Sequence, residues 1–217
     1  GTSTDSEAVE YFTRRNEHEV IMKHTGQASK NAIATFFSKD RVNDRKEILK
    51  HIDPESSVDY KQKSVNIDDF CNKELIHYSR ESLERAIPKM IDGLKPSLRK
   101  ILWFMLLHPG KAKVEQIAGE VSKVMSYHHG ATSLEGAIVG MAQSFCGTNN
   151  INLLEPIGQY GNRHGDKAAS PRYINTATSA ITRAIFKRDD DPILKLQVEE
   201  GKTIEPECLF PIIPMAL

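Results

Sequence analysis

No run of apolar residues in this 217-residue chain approaches the roughly 20 needed to cross a bilayer as a helix, so a helical membrane protein is excluded. The opening residues, Gly1-Thr2-Ser3-Thr4-Asp5, have neither the basic stretch nor the apolar stretch of a signal peptide. Nothing there addresses the chain for secretion, and an intracellular setting is expected. Cysteine is scarce: Cys71, Cys146 and Cys208 are odd in number and far apart, which argues for reduced thiols and against a disulfide framework or a zinc site. Internal repeats and low-complexity tracts are also missing. What is present is ordinary for a globular protein, 39% hydrophobic and 27% charged, in a chain long enough for one large domain or two small ones.

There is no net charge either, with 29 Lys+Arg against 29 Asp+Glu, but the balance hides an uneven distribution. Between Gly93 and Arg188 twelve Lys+Arg face five Asp+Glu, a surplus of seven that the remainder of the chain cancels. Such a middle section suits a polyanion, although charge alone is equally compatible with a solvated basic surface.

Along the chain, Thr4-x-x-Glu7 is a capping box that opens a helix through about Arg15, and His18 to Thr25 alternates like a strand. Helices are expected near Lys30 to Phe37 and Asn43 to His51. One strand cannot make a stable sheet, so its partners are expected outside the chain. Residues 53–64 are polar, without periodicity, and read as a linker. Asn66 caps a long helix through about Ala86, Asp92-Gly93 turns the chain, and Pro96 starts a helix with an apolar face of Leu98, Ile101, Leu102, Met105 and Leu106. Two helices follow, Val114 to Met125 and about Thr132 to Phe145, in the outline of a helix-turn-helix. The Gly-rich stretch Ile151 to Pro171 stands where a wing would fall. A short helix, Thr178 to Phe186, and a hairpin around Glu200-Gly201 complete the reading.

Several motifs then coincide: Asn72-Lys73-Glu74-Leu75-Ile76, Asp92-Gly93-Leu94-Lys95-Pro96 with Arg99, Ser126-Tyr127-His128-His129-Gly130, Asn149-Asn150-Ile151-Asn152-Leu153-Leu154, Pro156-Ile157-Gly158-Gln159-Tyr160-Gly161, Ala169-Ser170-Pro171-Arg172-Tyr173 and Pro211-Ile212-Ile213-Pro214-Met215. With the GTST opening, these make the chain resemble the type IIA DNA topoisomerases, in the eukaryotic and viral branch. The resemblance implies a mixed α+β, mainly helical fold. Residues 1–52 would be the tail of a Toprim α/β domain, 53–65 a linker, 66–190 a winged-helix DNA-cleavage domain and 191–217 the start of a tower domain. The linker is shorter than the eukaryotic pattern, as in a viral or divergent source.

The same resemblance implies an ATP-dependent enzyme that cleaves and rejoins double-stranded DNA through a 5′-phosphotyrosyl intermediate, as a homodimer acting in trans. It places the ATPase domain and the Toprim carboxylates that hold Mg2+ outside this chain, with the nucleus as the setting of a cellular protein and the host cell, including its cytoplasm, that of a viral one. Tyr173 is the expected nucleophile. A phenol of pKa about 10 needs cationic help at neutral pH, and Arg172 beside it is the candidate. Lys95, Arg99, His128, His129, Arg163, His164 and Lys167 are expected to contact DNA, chiefly its phosphates. No metal ligand is expected here, because Asp189-Asp190-Asp191 reads as a solvated turn. The competing reading is a non-catalytic winged-helix DNA-binding module in which Tyr173 only packs.

Overall fold

The computed structural model describes residues 3–199 and 201–216; Gly1 and Thr2 of the first motif, Glu200 of the hairpin turn, and Leu217 lie outside them. It divides into two compact units, Gly1–Leu83 and Glu84–Leu217, a boundary later than those expected at residues 52 and 66.

In the first unit the capping box forms as expected. Thr4 Oγ1 accepts from the Glu7 N–H at 3.3 Å while the Glu7 carboxylate accepts from the Thr4 N–H at 2.7 Å, starting α1 (Asp5–Thr13). Next come α2 (Arg15–His18), β1 (Ile21–Lys23), α3 (Gln27–Phe37) and α4 (Val42–Lys50). β2 (Ser64–Asn66) then pairs with β1 in parallel, Met22 opposite Val65. The expectation that β1 has its partners only outside the chain is therefore corrected: α3 and α4 provide the long crossover that parallel pairing demands. Three residues are too few for alternation to show, which is why the end of the polar stretch did not read as a strand. The expected long helix is α5 (Ile67–Phe70), a π-helical turn (Cys71–Leu75) and α6 (Ile76–Ala86). Its start is tied to α3, since Asp68 Oδ1 accepts from Thr25 Oγ1 at 2.6 Å and from the buried Ser29 Oγ at 3.1 Å.

The second unit is built on α7 (Pro96–Leu107), which has Pro at its first turn and is buried nearly all round, from Arg99 to Leu106. α8 (Val114–Val124) and α9 (Ala131–Ala142) pack on it with Val114, Ile117, Ala118 and Val121 from one helix and Leu134, Ile138, Met141 and Ala142 from the other. A small antiparallel sheet joins β3 (Ala112–Lys113) to β4 (Asn175–Thr176), with isolated bridges from Ile157 to Asn175 in β4 and from Leu154 to Thr178 just after it. α10 (Ala180–Ile185), a 3-10 turn (Arg188–Ile193) and the hairpin of β5 (Leu196–Glu199) and β6 (Lys202–Pro206) follow.

An acidic and a basic side chain lie paired inside this unit. Arg99, 1% exposed, donates from Nε and Nη2 to the two oxygens of Asp92, at 2.6 and 2.9 Å, and from Nη2 to the Leu94 carbonyl at 2.9 Å. Asp92 also accepts from the N–H groups of Leu94 and Leu209, both at 3.0 Å. One carboxylate thereby joins the turn before α7, α7 itself and the segment after β6. The next residue must be glycine. Gly93 has φ +67°, and a Cβ there would stand 2.6 Å from the Met215 carbonyl oxygen.

Removing one member of a buried, hydrogen-bonded ion pair leaves the other charged and unpaired, at a cost of about 3–5 kcal/mol. Arg99→Met is expected to destabilise the second unit by that amount in urea titration, and an unchanged midpoint would show the pair to be dispensable.

Candidate functional site

Tyr173 lies in the turn that leads into β4, and its side chain is 74% exposed although Ile174 next to it is buried at 2%. The exposure is imposed by backbone. The Ile174 carbonyl accepts from the Val114 N–H at 3.1 Å and the Pro171 carbonyl from the Glu115 N–H at 3.4 Å, so the first turn of α8 grips both sides of Arg172-Tyr173. These are the amides that a helix start leaves without an internal partner. The turn closes on itself through the Tyr173 N–H and the Ser170 carbonyl, 2.9 Å apart. With Ile174 pointing into the core and both flanking carbonyls held, the phenol stands out to solvent. Arg172 is exposed as well.

A side chain with no role assignable from sequence alone anchors the far side. Tyr160 is buried, and its Oη donates to the Asn175 carbonyl at 2.7 Å, two residues past Tyr173. Burial pushes its phenol up to about 12, which keeps it a proton donor while Tyr173 is displayed. Its Gly-flanked motif was legible, but nothing local in the sequence says which of the two tyrosines is inside.

Between these anchors runs a projecting loop. The Ala169 N–H donates to the Gln159 carbonyl at 2.9 Å and the Asn162 N–H to the Asp166 carbonyl at 3.2 Å, like rungs of a hairpin. At the tip Asn162 Oδ1 accepts from the His164 and Asp166 amides at 2.9 and 3.3 Å. Gly161 has φ +86°, and a Cβ would meet the Asp166 carbonyl oxygen at 2.5 Å, so only glycine lets the two limbs close. Arg163, His164 and Lys167 are all exposed on this loop. Among the described residues no carboxylate pairs with Arg163, Lys167, Arg172 or Lys95.

His128 and His129 stand at the other end of α8, about 16 Å along an 11-residue helix from the Tyr173 turn. Both lie exposed in the turn before α9, and the N-cap Gly130 carries no side-chain cap. His128 Nε2 lies 3.1 Å from Glu199 Oε1, and the His129 ring meets Tyr127 edge-on at 5.3 Å. Lys95 is the exposed N-cap of α7. Arg99 does not join this set: the expectation that it contacts DNA is corrected, because its guanidinium is spent on Asp92 and Leu94 inside the core. Spacing on a helix start does not distinguish an inward from an outward arginine.

Asp189, Asp190 and Asp191 form the 3-10 turn, with Asp191 facing Arg183 at 3.5 Å. Among the described residues no three His, Cys, Asp or Glu side chains gather as a metal site, and no helix is long and apolar enough to cross a membrane.

Comparison with known proteins fits this geometry. The family model of DNA gyrase/topoisomerase IV (A-type subunit) matches residues 85–217, and that of the C-terminal associated domain of TOPRIM matches residues 1–83. Their boundary along the chain coincides with that of the compact units. The chain is 45% identical over 222 residues to DNA topoisomerase 2 of Plasmodium falciparum and 44% identical over 234 residues to human DNA topoisomerase 2-alpha, with 100% of this chain covered in both cases. It spans 16% and 15% of the length of those relatives. The solved DNA-binding, cleavage and re-ligation domain of Plasmodium falciparum topoisomerase II is similar over 99% of this chain and 30% of its own, at 45% identity and a TM-score of 0.81. Since the gyrase/topoisomerase IV model alone accounts for more than half of its residues, the chain belongs to the DNA gyrase/topoisomerase IV family, beside the eukaryotic DNA topoisomerase 2 proteins.

Proposed function

We propose that this chain is the DNA-cleaving portion of an ATP-dependent type II DNA topoisomerase, with Tyr173 as the nucleophile. The observation that carries the reading is an exposed phenol on a turn clamped at both flanking carbonyls, in the basic section of the chain. Family membership and the relatives' names support it. In this reading α7, α8 and α9 with the β3–β4 sheet are a winged-helix domain, α9 is its recognition helix and residues 159–169 are the wing. Residues 1–83 continue a Toprim domain and the last segment from residue 191 opens a tower domain.

The chemistry is transesterification. The Tyr173 Oη forms a bond to the phosphorus of a DNA phosphodiester, the P–O3′ bond breaks, and the phenolic proton passes to the departing 3′ oxygen. The 5′-phosphotyrosyl ester conserves the energy of the broken linkage, so the 3′-hydroxyl can attack in reverse and reseal the strand. Arg172, one residue away and exposed, offers planar donors to the charge that develops on the phosphate. Lys95, Arg163, His164 and Lys167 hold backbone phosphates, and His128 with His129 present further donors beside the uncapped start of α9, where the helix dipole favours an anion. Magnesium, where bound, neutralises charge at the attacked phosphate. By resemblance to the type IIA topoisomerases its carboxylates are assigned to the Toprim domain of a partner protomer, which implies a homodimer acting in trans. ATP belongs to a further domain of the full-length protein, and the corresponding compartment is the nucleus for a cellular protein and the host cell, including its cytoplasm, for a viral one.

In the full-length protein with Mg2+, SDS-trapped covalent protein–DNA adducts are expected, and Tyr173→Phe is expected to abolish them. Adducts that persist in that variant sink the assignment, and a duplex-binding protein that never yields them favours the non-catalytic module. Arg172→Ala should slow single-turnover cleavage by about 100- to 1000-fold while changing duplex affinity little. An equal loss of affinity would make Arg172 a binding residue instead. With about six phosphates engaged, log K against log salt should have a slope near −5, and Arg163→Ala/Lys167→Ala should reduce its magnitude by roughly 2. A slope unmoved by that pair would take the loop off the DNA.

A further inference from the structure

Lys100 follows Arg99 on α7 and is also buried, at 9% exposure. Its Nζ donates to the Met125 carbonyl at 2.6 Å and to Glu205 Oε2 at 2.9 Å, and Glu199 Oε2 lies 3.7 Å away. The same Glu199 carboxylate reaches His128 through its other oxygen. Met125 and His128 belong to the turn between α8 and α9, whereas Glu199 and Glu205 are on the β5–β6 hairpin. One ammonium thus ties three elements together, hydrogen-bonded to one carbonyl and one carboxylate, with the second carboxylate at ion-pair distance.

The turn it holds is strained. Ser126 has φ +49°, a left-handed conformation that a serine adopts at a cost, and its buried Oγ has no partner among the described residues. Such a residue persists only where its surroundings over-determine the backbone, and the carbonyl immediately before it is the one that Lys100 grips. For neutralising Glu205 alone the bond to Met125 would be superfluous. Its position, one residue from the strained serine and three from His128, makes it a backbone restraint on the two histidines.

We propose that Lys100 is a positioning residue: it fixes the turn Met125–Gly130 so that His128 and His129 face the DNA, and Glu205 and Glu199 of the hairpin in turn fix Lys100. The proposal rests on the reading of those histidines as phosphate contacts. It also makes the hairpin, through two carboxylates, a part of the DNA-binding apparatus without touching DNA.

The test measures duplex affinity by fluorescence anisotropy at fixed salt, together with Tm, in the full-length protein. Lys100→Met should lower Tm and weaken binding about tenfold, the scale of one charge-assisted hydrogen bond. Lys100→Met/Glu205→Gln removes the orphaned carboxylate and should recover most of the lost Tm while binding stays about fivefold to tenfold weaker. Ser126→Gly relieves the strained φ, so its Tm is expected to hold or rise while affinity still falls, because the turn is freed. Full recovery of affinity in the double variant, or an unchanged affinity in Ser126→Gly, overturns the positioning role. His128→Ala separates the two layers of the reading. If it leaves affinity unchanged, the phosphate contact falls and the inference with it; if it weakens binding while the double variant and Ser126→Gly match the parent, only the inference falls.

Discussion

The buried pair of Asp92 and Arg99 is the constraint on which the second unit depends. A carboxylate and a guanidinium in a closed core are tolerable only if nearly every lone pair and donor is used, and here Asp92 accepts four hydrogen bonds while Arg99 adds one to the Leu94 carbonyl. That requirement dictates where the chain can go. The turn at Asp92-Gly93, the start of α7 and the segment around Leu209 must all converge on one point, and Gly93 admits the Met215 backbone at a distance no other residue would permit. With α7 so placed, α8 and α9 have a fixed surface to pack on.

The display of Tyr173 is a consequence of that packing. α8 presents its unpaired first-turn amides to the carbonyls of Pro171 and Ile174, and Tyr160 reaches from within to the Asn175 carbonyl. A side chain between such clamps has only one direction left, outward. Rigid backbone around a free phenol is what the proposed transesterification would require, since the same oxygen would have to be presented for attack and stay in place while the strand end returns. The cationic loop of residues 159–169 is held by a different device, the closure of Gly161 against Asp166, and it carries its charges independently of the Tyr173 turn.

Much of this order could be read in advance. The capping box of Thr4 and Glu7, the proline opening α7 and the apolar spacing of the two helices after it are local signals, and each produced a helix within a few residues of the expected bounds. The parallel β1–β2 pair was not legible, because three-residue strands joined by about 40 residues leave no periodic trace. The π-helical turn inside the expected long helix, and the 3-10 turn of the aspartates, likewise depend on packing and not on composition.

For the site, the residue types were determined by sequence and their orientation was not. Adjacent cations at positions 95, 99 and 100 look alike on a helix start, yet the structure sends Lys95 to solvent, Arg99 into the core beside Asp92, and Lys100 under a turn 25 residues away. Tyr160 and Tyr173 are similarly indistinguishable by type, one buried and one displayed. Side-chain direction follows from long-range partners such as Leu209 and Glu205, and those distances are set only when the chain closes on itself. Local chemistry is written residue by residue, whereas burial, and with it the choice between a structural and a functional role, is a property of the folded volume.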